Sequence, residues 1–413
     1  LPASERFGAQ LDPLGGRKVK RQREPIAAVR AGRRRAITAT LALVCIALPQ
    51  LARAQGDVAS GNRALKAAVA KLVQETGIKP GEPGIAVLAS KPGHVLLLME
   101  GYGLANIASK EAVTSCTRFD LASVSKTFTS TALLILQERG LLSIDDDVRK
   151  YIPELPQYPN GPLRLRDMLQ HVSGLTDYLE LPSVPKSNKS YWVNSDYLAA
   201  LGKARLDFPI GQKYEYNNTN YMLLGLIVER VAGKPFGEVL RDDIFAPVGM
   251  KNTFVYASPD SIPENAAPPC NNAVGYELKN KRWVARWGFP SGHRQEEHLE
   301  VGDGAVWSNL EDMARWDAAI RTNKLLKPAT MKLALTGSRR NKGYGLGWEI
   351  YRDDNAPMHG FGHDGYWRGF NTMYYNYLTD NHTVVLLSNR GDAIDLNKFW
   401  EKLSELIGTH AKD

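Results

Sequence analysis

The sequence predicts an α/β (α+β) protein: one antiparallel sheet built from both ends of the chain, flanked by N- and C-terminal helices, with a mostly helical region inserted between. Three observations carry this. Strand-like apolar runs stand at 84–101 and return after residue 344, with no convincing strand repeat between. Amphipathic helical patterns stand near both ends. The stretch 146–304 reads instead as helices separated by loops rich in Pro, Asn, Asp and Gly.

The elements follow in order. "RAGRRRAITATLALVCIALPQLARAQ" has a basic head at Arg33–Arg35, an apolar run from Ala36 to about Leu51, and a small-x-small site ending at Ala54. That is the pattern of a secretory signal peptide. The run is short of the roughly 20 residues a bilayer span needs, and Pro49 interrupts it. Residues 1–54 are therefore expected to be leader and signal, and the protein to be exported, periplasmic or secreted, from a bacterium. A translation start after residue 28 would explain the long basic stretch ahead of the signal. Next, "GNRALKAAVAKLVQETG" reads as a helix closed by Gly77. "GIAVLAS" and "HVLLLMEG" around "KPG" read as a hairpin. "FDLASVSKTFTSTALLILQERG" opens a strongly apolar helix. "LRLRDMLQHVSGL", "NYMLLGLIVERVAG" and "FGEVLRDDIF" are the helical patterns of the insert. After "NLEDMARWDAAIRTN" come strands in "GLGWEIY", "TMYYNYLT" and "TVVLLSN", then the closing helix "NKFWEKLSELIG". The divisions are 55–145 plus 305–413 for the sheet domain and 146–304 for the insert, together one catalytic unit.

Charge excludes one class of partner. The net charge of +8 rests on residues 1–54, which hold 11 of the 52 Lys and Arg and 3 of the 44 Asp and Glu. The rest is balanced, so no electrostatic reason for nucleic-acid binding remains. Of three cysteines, Cys45 would leave with the signal. Cys116 and Cys270 are not at metal-ligand spacing and are left as either a disulfide or two free thiols.

Several catalytic patterns are absent: the Gly-x-Ser-x-Gly elbow, the His-Glu-x-x-His zinc helix, the Walker loop and a Gly-x-Gly-x-x-Gly turn at a strand–helix junction. His359 and His363 are four apart, but "HGFGHDG" is too glycine-rich for a helical metal pair. What remains is Ser-x-x-Lys, which occurs twice. At Ser183–Lys186, Pro185 argues against a continuous helix. Ser123 and Lys126 instead stand at a helix start, on one face. The helix N-terminus favours the oxyanion that serine attack on a carbonyl creates. A lysine in a partly desolvated cleft has a lowered pKa and can take the serine proton. Returning a proton to the leaving group needs another group. A tyrosine whose pKa is lowered by nearby cations can supply it. Of the three Tyr-x-Asn strings, "YPN" is turn-like and "YYN" lies in a strand. "YNN", with Tyr216 and Asn218, sits in a polar loop before a helix. His363-Asp364-Gly365 is expected on an edge strand facing the cleft, with glycine allowing close backbone approach.

These motifs, in this order, resemble the serine β-lactamase-related superfamily: class C β-lactamases, penicillin-binding D-Ala-D-Ala carboxypeptidases, D-aminopeptidases and related esterases. The likeness covers roughly 60–408 and extends to "LQHVSGLTDY", "GQKYEYNNTNYMLLGLIVERVAGKPF", "APVGMKNT" and "YGLGWEIY". It implies a β-lactamase/DD-peptidase-like fold and an acyl-enzyme with no metal or organic cofactor. By residue, it implies Ser123 as nucleophile, Lys126 as proton acceptor, Tyr216 as general base and acid, and Asn218 binding the substrate amide. His363 and Gly365 belong to the third motif, and the backbone N–H groups of Ser123 and Tyr366 form the oxyanion hole.

One departure is informative. "HDG" stands where β-lactamases usually have Lys-Thr-Gly, which removes a fixed cation unless the imidazole is protonated. This favours a peptidase- or esterase-like member over an efficient β-lactamase. The substrate is expected to be a small molecule, peptide or ester, with cell-wall peptides and β-lactams among the candidates. Arg368 is either a replacement cation for a substrate carboxylate or an arginine stacked on Trp367. His171 is read as a structural hydrogen-bonding histidine beneath the cleft. Trp192, Trp283 and Trp287 are read as packing, and Asp145–Asp147 as a solvated turn.

Overall fold

The computed structural model describes residues 63–91, 95–181, 191–257, 270–287, 297–353 and 356–410. The leader of residues 1–54, the second Ser-x-x-Lys pair at Ser183 and Lys186, and His293 lie outside these.

Six strands form one antiparallel sheet. Their order across it is Glu349–Tyr351, Gly360–Trp367, Phe370–Tyr377, His382–Ser388, Ile85–Lys91 and Val95–Tyr102. Ile85–Lys91 pairs with His382–Ser388 in register Ile85 to Ser388, so the two ends of the chain meet in the middle of the sheet. Both strands are buried on both faces, hence their continuous apolar runs. Alternation then sorts the side chains. Ile85, Val87 and Ala89 face one layer, where the helix over 63–75 brings Leu65, Val69, Leu72 and Val73 and the C-terminal helix Leu396–His410 brings Phe399, Leu403 and Ile407. Ala86 and Leu88 face the other layer, with Phe128, Leu133 and Leu134 of the helix Ser125–Glu138 and the core of the insert. That helix is buried all round from Ser125 to Leu136, because it lies between the sheet and the insert.

A small three-stranded sheet joins Phe119–Asp120 to Val306–Ser308 and Phe254–Val255. It carries the chain into the Ser123 turn from one side and the end of the insert from the other. The insert's main helix, Asn218–Ala232, starts at Asn217, whose side chain accepts from the Asn220 N–H, and ends at Gly233 in the left-handed conformation (φ 68°).

Three features differ from or settle the sequence expectations. The insert contains a hairpin, Gly275–Lys279 with Arg282–Trp287, turning through Asn280 and Lys281 at φ 49° and 63°. Two positive φ values are the geometry of a two-residue hairpin turn, but Asn-Lys lacks the glycine that usually advertises it. The strand carrying His363 is second in the sheet, not at its edge. The edge strand pairs only with Gly360–Gly362, so His363–Trp367 runs on beyond it, alongside the Ser123 turn. Finally, Cys116 and Cys270 form a disulfide, with their Cα atoms 4.9 Å apart. Among the described residues no helix is long and apolar enough to cross a membrane.

Candidate active site

Ser123 does not lie in the helix itself. It sits in a short 3-10 turn, Ala122–Val124, that leads into the helix Ser125–Glu138. Ala122 has φ 48°, a conformation alanine adopts at a cost. Oδ1 of the buried Asp120 accepts the Ala122 N–H at 2.8 Å and braces the turn. The strand Gly360–Trp367 packs against the same turn. A Cβ on Gly365 would stand 2.8 Å from the Ser123 nitrogen and 2.5 Å from the Leu121 oxygen, so glycine is required there. Tyr366, next along, is exposed.

Lys126 is fully buried, and its Nζ contacts three oxygens: Ser123 Oγ at 2.9 Å, Asn218 Oδ1 at 3.0 Å and the Asp303 carbonyl at 2.8 Å. Asp177 sets the amide of Asn218, because its Oδ2 accepts both Asn218 Nδ2 and the Asn218 backbone N–H. The amide oxygen of Asn218 must therefore face Lys126. Burial lowers the Lys126 pKa from 10.5 to about 8, with Asp303, Asp177 and Asp364 opposing the shift. A neutral amine has two N–H groups and one lone pair. Asn218 Oδ1 and the Asp303 carbonyl can only accept, so both N–H groups are spent on them. The lone pair is left for the Ser123 hydroxyl.

The Tyr216 hydroxyl hydrogen-bonds Ser123, and the Lys126 Nζ lies 5.0 Å from the centre of its ring. Although 38% of Tyr216 is exposed, burial pushes its phenol well above 10, helped by Asp364 and Glu349. The expected lowering by cations is thus reversed: desolvation and two carboxylates outweigh the hydrogen bond with Ser123. Tyr216 rests in a protonated form.

His171 is buried, and its Nδ1 accepts the Asn217 N–H at 3.1 Å. Its ring lies 4.4 Å from that of Tyr216. Burial pushes its pKa well below 6.5. It supports the tyrosine from below as a neutral ring.

His363 is also fully buried, and burial lowers its pKa to about 4. Its Nδ1 meets the Asp364 carbonyl at 2.5 Å and its Nε2 meets the Tyr344 hydroxyl at 3.0 Å. The imidazole is therefore neutral and engaged at both nitrogens, behind the cleft. Asp364 beside it hydrogen-bonds Glu349, and burial with that neighbour raises its pKa to about 7. Glu349, His363 and Asp364 offer ligand atoms within 4.8 Å of one another. A cation there would have to displace the bonds His363 already makes.

Arg368 (φ 41°) lies over two indoles, 5.5 Å from the Trp287 ring centre and 5.1 Å from that of Trp367. The stacking on Trp367 that the sequence offered as one reading is present. Trp287 is buried, and Trp283 lies under Arg390 at 4.6 Å. The aspartate turn is ion-paired: Asp145 takes Arg166, and Asp146 takes Lys150 and the Tyr151 hydroxyl.

The structure brings Ser123, Lys126, Tyr216 and Asn218, all named from the sequence, into one cluster. Sequence reasoning missed Asp177, Asp303, Tyr344 and Glu349. Asp177 and Tyr344 stand within or beside the family-like strings "LQHVSGLTDY" and "YGLGWEIY", which was the available signal. Asp303 acts on Lys126 through its carbonyl, and no side-chain pattern reports that.

A mixed fold of helices on an antiparallel sheet, with penicillin-binding proteins, a D-amino acid amidase and the hydrolase EstCE1 among its structural neighbours, and a family match over most of the chain place it in the serine β-lactamase-related superfamily. The profile of the Beta-lactamase family matches residues 66–406, and the chain belongs to that family. It is 29% identical over 337 residues to penicillin-binding protein 4* of Bacillus subtilis, covering 78% of this chain and 71% of that one. It is 26% identical to protein flp of Staphylococcus aureus (strain MRSA252), spanning 80% of this chain but only 64% of that protein. Among solved structures, a penicillin-binding protein from Bacillus halodurans superposes with TM-score 0.68 at 25% identity, over 83% of this chain and 98% of that one. D-amino acid amidase from Ochrobactrum anthropi shares the fold at TM-score 0.66 and 22% identity, over 84% and 99%.

Proposed function

We propose that this chain is an exported serine hydrolase that cleaves an amide or ester through an acyl-enzyme on Ser123, acting as a D-Ala-D-Ala carboxypeptidase, D-peptidase-like enzyme or esterase. The observation that carries the reading is the Lys126 lone pair aimed at Ser123 by two fixed acceptors. The Ser123 proton passes to Lys126 as Oγ attacks the carbonyl. The oxyanion develops beside the backbone N–H groups of Ser123 and Tyr366. Collapse expels the amine or alcohol, which takes a proton delivered through Tyr216, and Lys126 in turn recharges Tyr216. Asn218 holds the substrate amide. Water, deprotonated by the same pair, then releases the acyl group.

The preference against β-lactams rests on charge. The residue in the position of the usual lysine is a neutral histidine, and the groups around Lys126 are Asp177, Asp303 and Asp364. Kinship with a penicillin-binding protein, and fold likeness to an amidase and to EstCE1, described as a hydrolase with promiscuous acyltransferase activity, supports amide and ester chemistry in general. The Cys116–Cys270 disulfide supports an oxidising, exported location.

The test is to incubate the protein with a reactive ester, a β-lactam and a D-Ala-D-Ala peptide, following product and intact mass. Ester or peptide turnover with a long-lived β-lactam adduct, lost in Ser123→Ala, is expected. Fast β-lactam hydrolysis would make it a class C-like β-lactamase. No adduct and no turnover would make it a non-catalytic module that binds cell-wall peptides.

A further inference from the structure

We propose that Tyr344 is a positioning residue for this acyl transfer: its hydroxyl donates to Nε2 of His363 and fixes that imidazole as the neutral tautomer with its proton on Nδ1, leaving Lys126 as the titrating base beside Ser123. The role in catalysis rests on the hydrolase reading above. The hydrogen-bond assignment does not.

The assignment follows from which atoms can donate. The Asp364 carbonyl accepts only, so Nδ1 at 2.5 Å carries the proton. A neutral ring then has a bare Nε2, and the Tyr344 hydroxyl at 3.0 Å must donate to it. Both residues are buried, so no solvent competes. Tyr344 has a second acceptor in reach, the hydroxyl of Tyr221, whose own proton is committed to the Leu169 carbonyl at 2.8 Å. The proton of Tyr344 would turn to Tyr221 only if His363 were a cation.

The groups facing His363 decide between these states. Asp364 lies on its own strand, and Glu349 on the adjacent strand has Oε1 3.8 Å from Nδ1. Both favour an imidazolium. Lys126 from the central helix opposes it, as does complete burial, the largest influence, while the neutral His171 ring faces it from the insert. Tyr216 closes the remaining side, 6.1 Å between ring centres. The balance is held by burial and the tyrosine bond against two carboxylates. Removing the bond exposes a bare Nε2 to that field.

The consequence for the site is geometric as well as electrostatic. The Tyr344 ring meets Tyr216 edge-on at 6.2 Å and His171 at 4.8 Å. One side chain thus holds the histidine in its tautomer and backs the tyrosine that contacts Ser123. This explains how a histidine can replace the lysine without adding a second titrating cation beside the nucleophile.

The experiment uses the full chain labelled with 15N-histidine, with His363 assigned by its loss in His363→Asn. Long-range 1H–15N spectra report the tautomer directly. In the wild type, His363 should show a protonated Nδ1 and a bare Nε2, unchanged from pH 5.5 to 8. In Tyr344→Phe it should show mixed tautomers or take up a proton within that range. The variant's ester turnover should fall about tenfold in kcat, one neutral hydrogen bond's worth, with KM within about twofold. Tyr344→Gln, which restores a donor, should recover the wild-type His363 spectrum and part of kcat. A His363 spectrum identical in wild type and Tyr344→Phe would overturn the proposal, as would an Nε2-protonated ring in the wild type. If Tyr344→Phe fails to fold, the wild-type tautomer and the Tyr344→Gln spectrum still decide. The expected spectra in a wild type with no acyl transfer would contradict the hydrolase reading and leave the tautomer lock standing.

Discussion

Asp177 takes the backbone N–H and the side-chain amide of Asn218 on one carboxylate oxygen, at 2.7 and 3.1 Å. That single oxygen decides which end of the amide faces Lys126. In Asp177→Ala the amide is free to turn its NH2 toward Lys126, where it competes for the lone pair. Loss of kcat by roughly 10- to 100-fold is expected. Asp177 also holds the Lys126 pKa up, so its removal moves the acid limb of the pH–rate profile to lower pH. An unchanged limb would show that Asp177 acts by geometry alone.

Gly365 is the point where strand and nucleophile turn touch. Alanine there places its Cβ 2.5 Å from a backbone oxygen and 2.8 Å from a backbone nitrogen, neither of which can rotate away. Gly365→Ala should lower stability by about 1–3 kcal/mol. Turnover should fall by more than the lost folded fraction explains. Denaturant unfolding and kcat measured on one preparation check both.

Asp364 beside Glu349 makes a stability prediction with a definite sign. Its folded pKa of about 7 lies above the unfolded value, so the folded state binds the extra proton. The cost of the pair is small at pH 4, grows as pH rises, and is complete above about 7. Asp364→Asn should therefore raise Tm at pH 8, by about 2 °C or more, and leave it unchanged near pH 4. An equal effect at both values would mean the two carboxyls do not share a proton.

The disulfide joins Cys116, just ahead of the nucleophile strand, to Cys270, at the start of the segment bonded to Arg118. It closes a loop of sequence separation 154. Cys116→Ser with Cys270→Ser should cost about 2–4 kcal/mol. Chemical denaturation of the oxidised protein and the double variant gives that difference.

The sheet assembled from both chain ends was legible because alternation and continuous apolar runs at Ile85–Ser90 and His382–Ser388 are local signals with one physical cause. The grouping of Ser123, Lys126 and Tyr216 was legible because the proposed chemistry needs particular residue types in particular company. The hairpin at Asn280–Lys281 was not, since nothing in "LKNKR" marks two positive φ values. The tyrosine pKa was misjudged because its sign depends on burial and on Asp364 and Glu349, which are far away in sequence. The base-setting carbonyl of Asp303 and the tautomer bond of Tyr344 depend on backbone position and through-space pairing. Those emerge only when the insert and the sheet are folded against one another.

In the proposed mechanism, neutral Lys126 activates Ser123. That step is tested most directly by the rate at which a fluorophosphonate labels the protein across pH 5.5–10, with the modified peptide identified by mass. Labelling confined to Ser123, rising with pH through a midpoint near 8 as Lys126 loses its proton, is the predicted result. Tyr216, held well above 10, should add no second step in this range. A pH-independent rate, or label on another residue, would contradict the account.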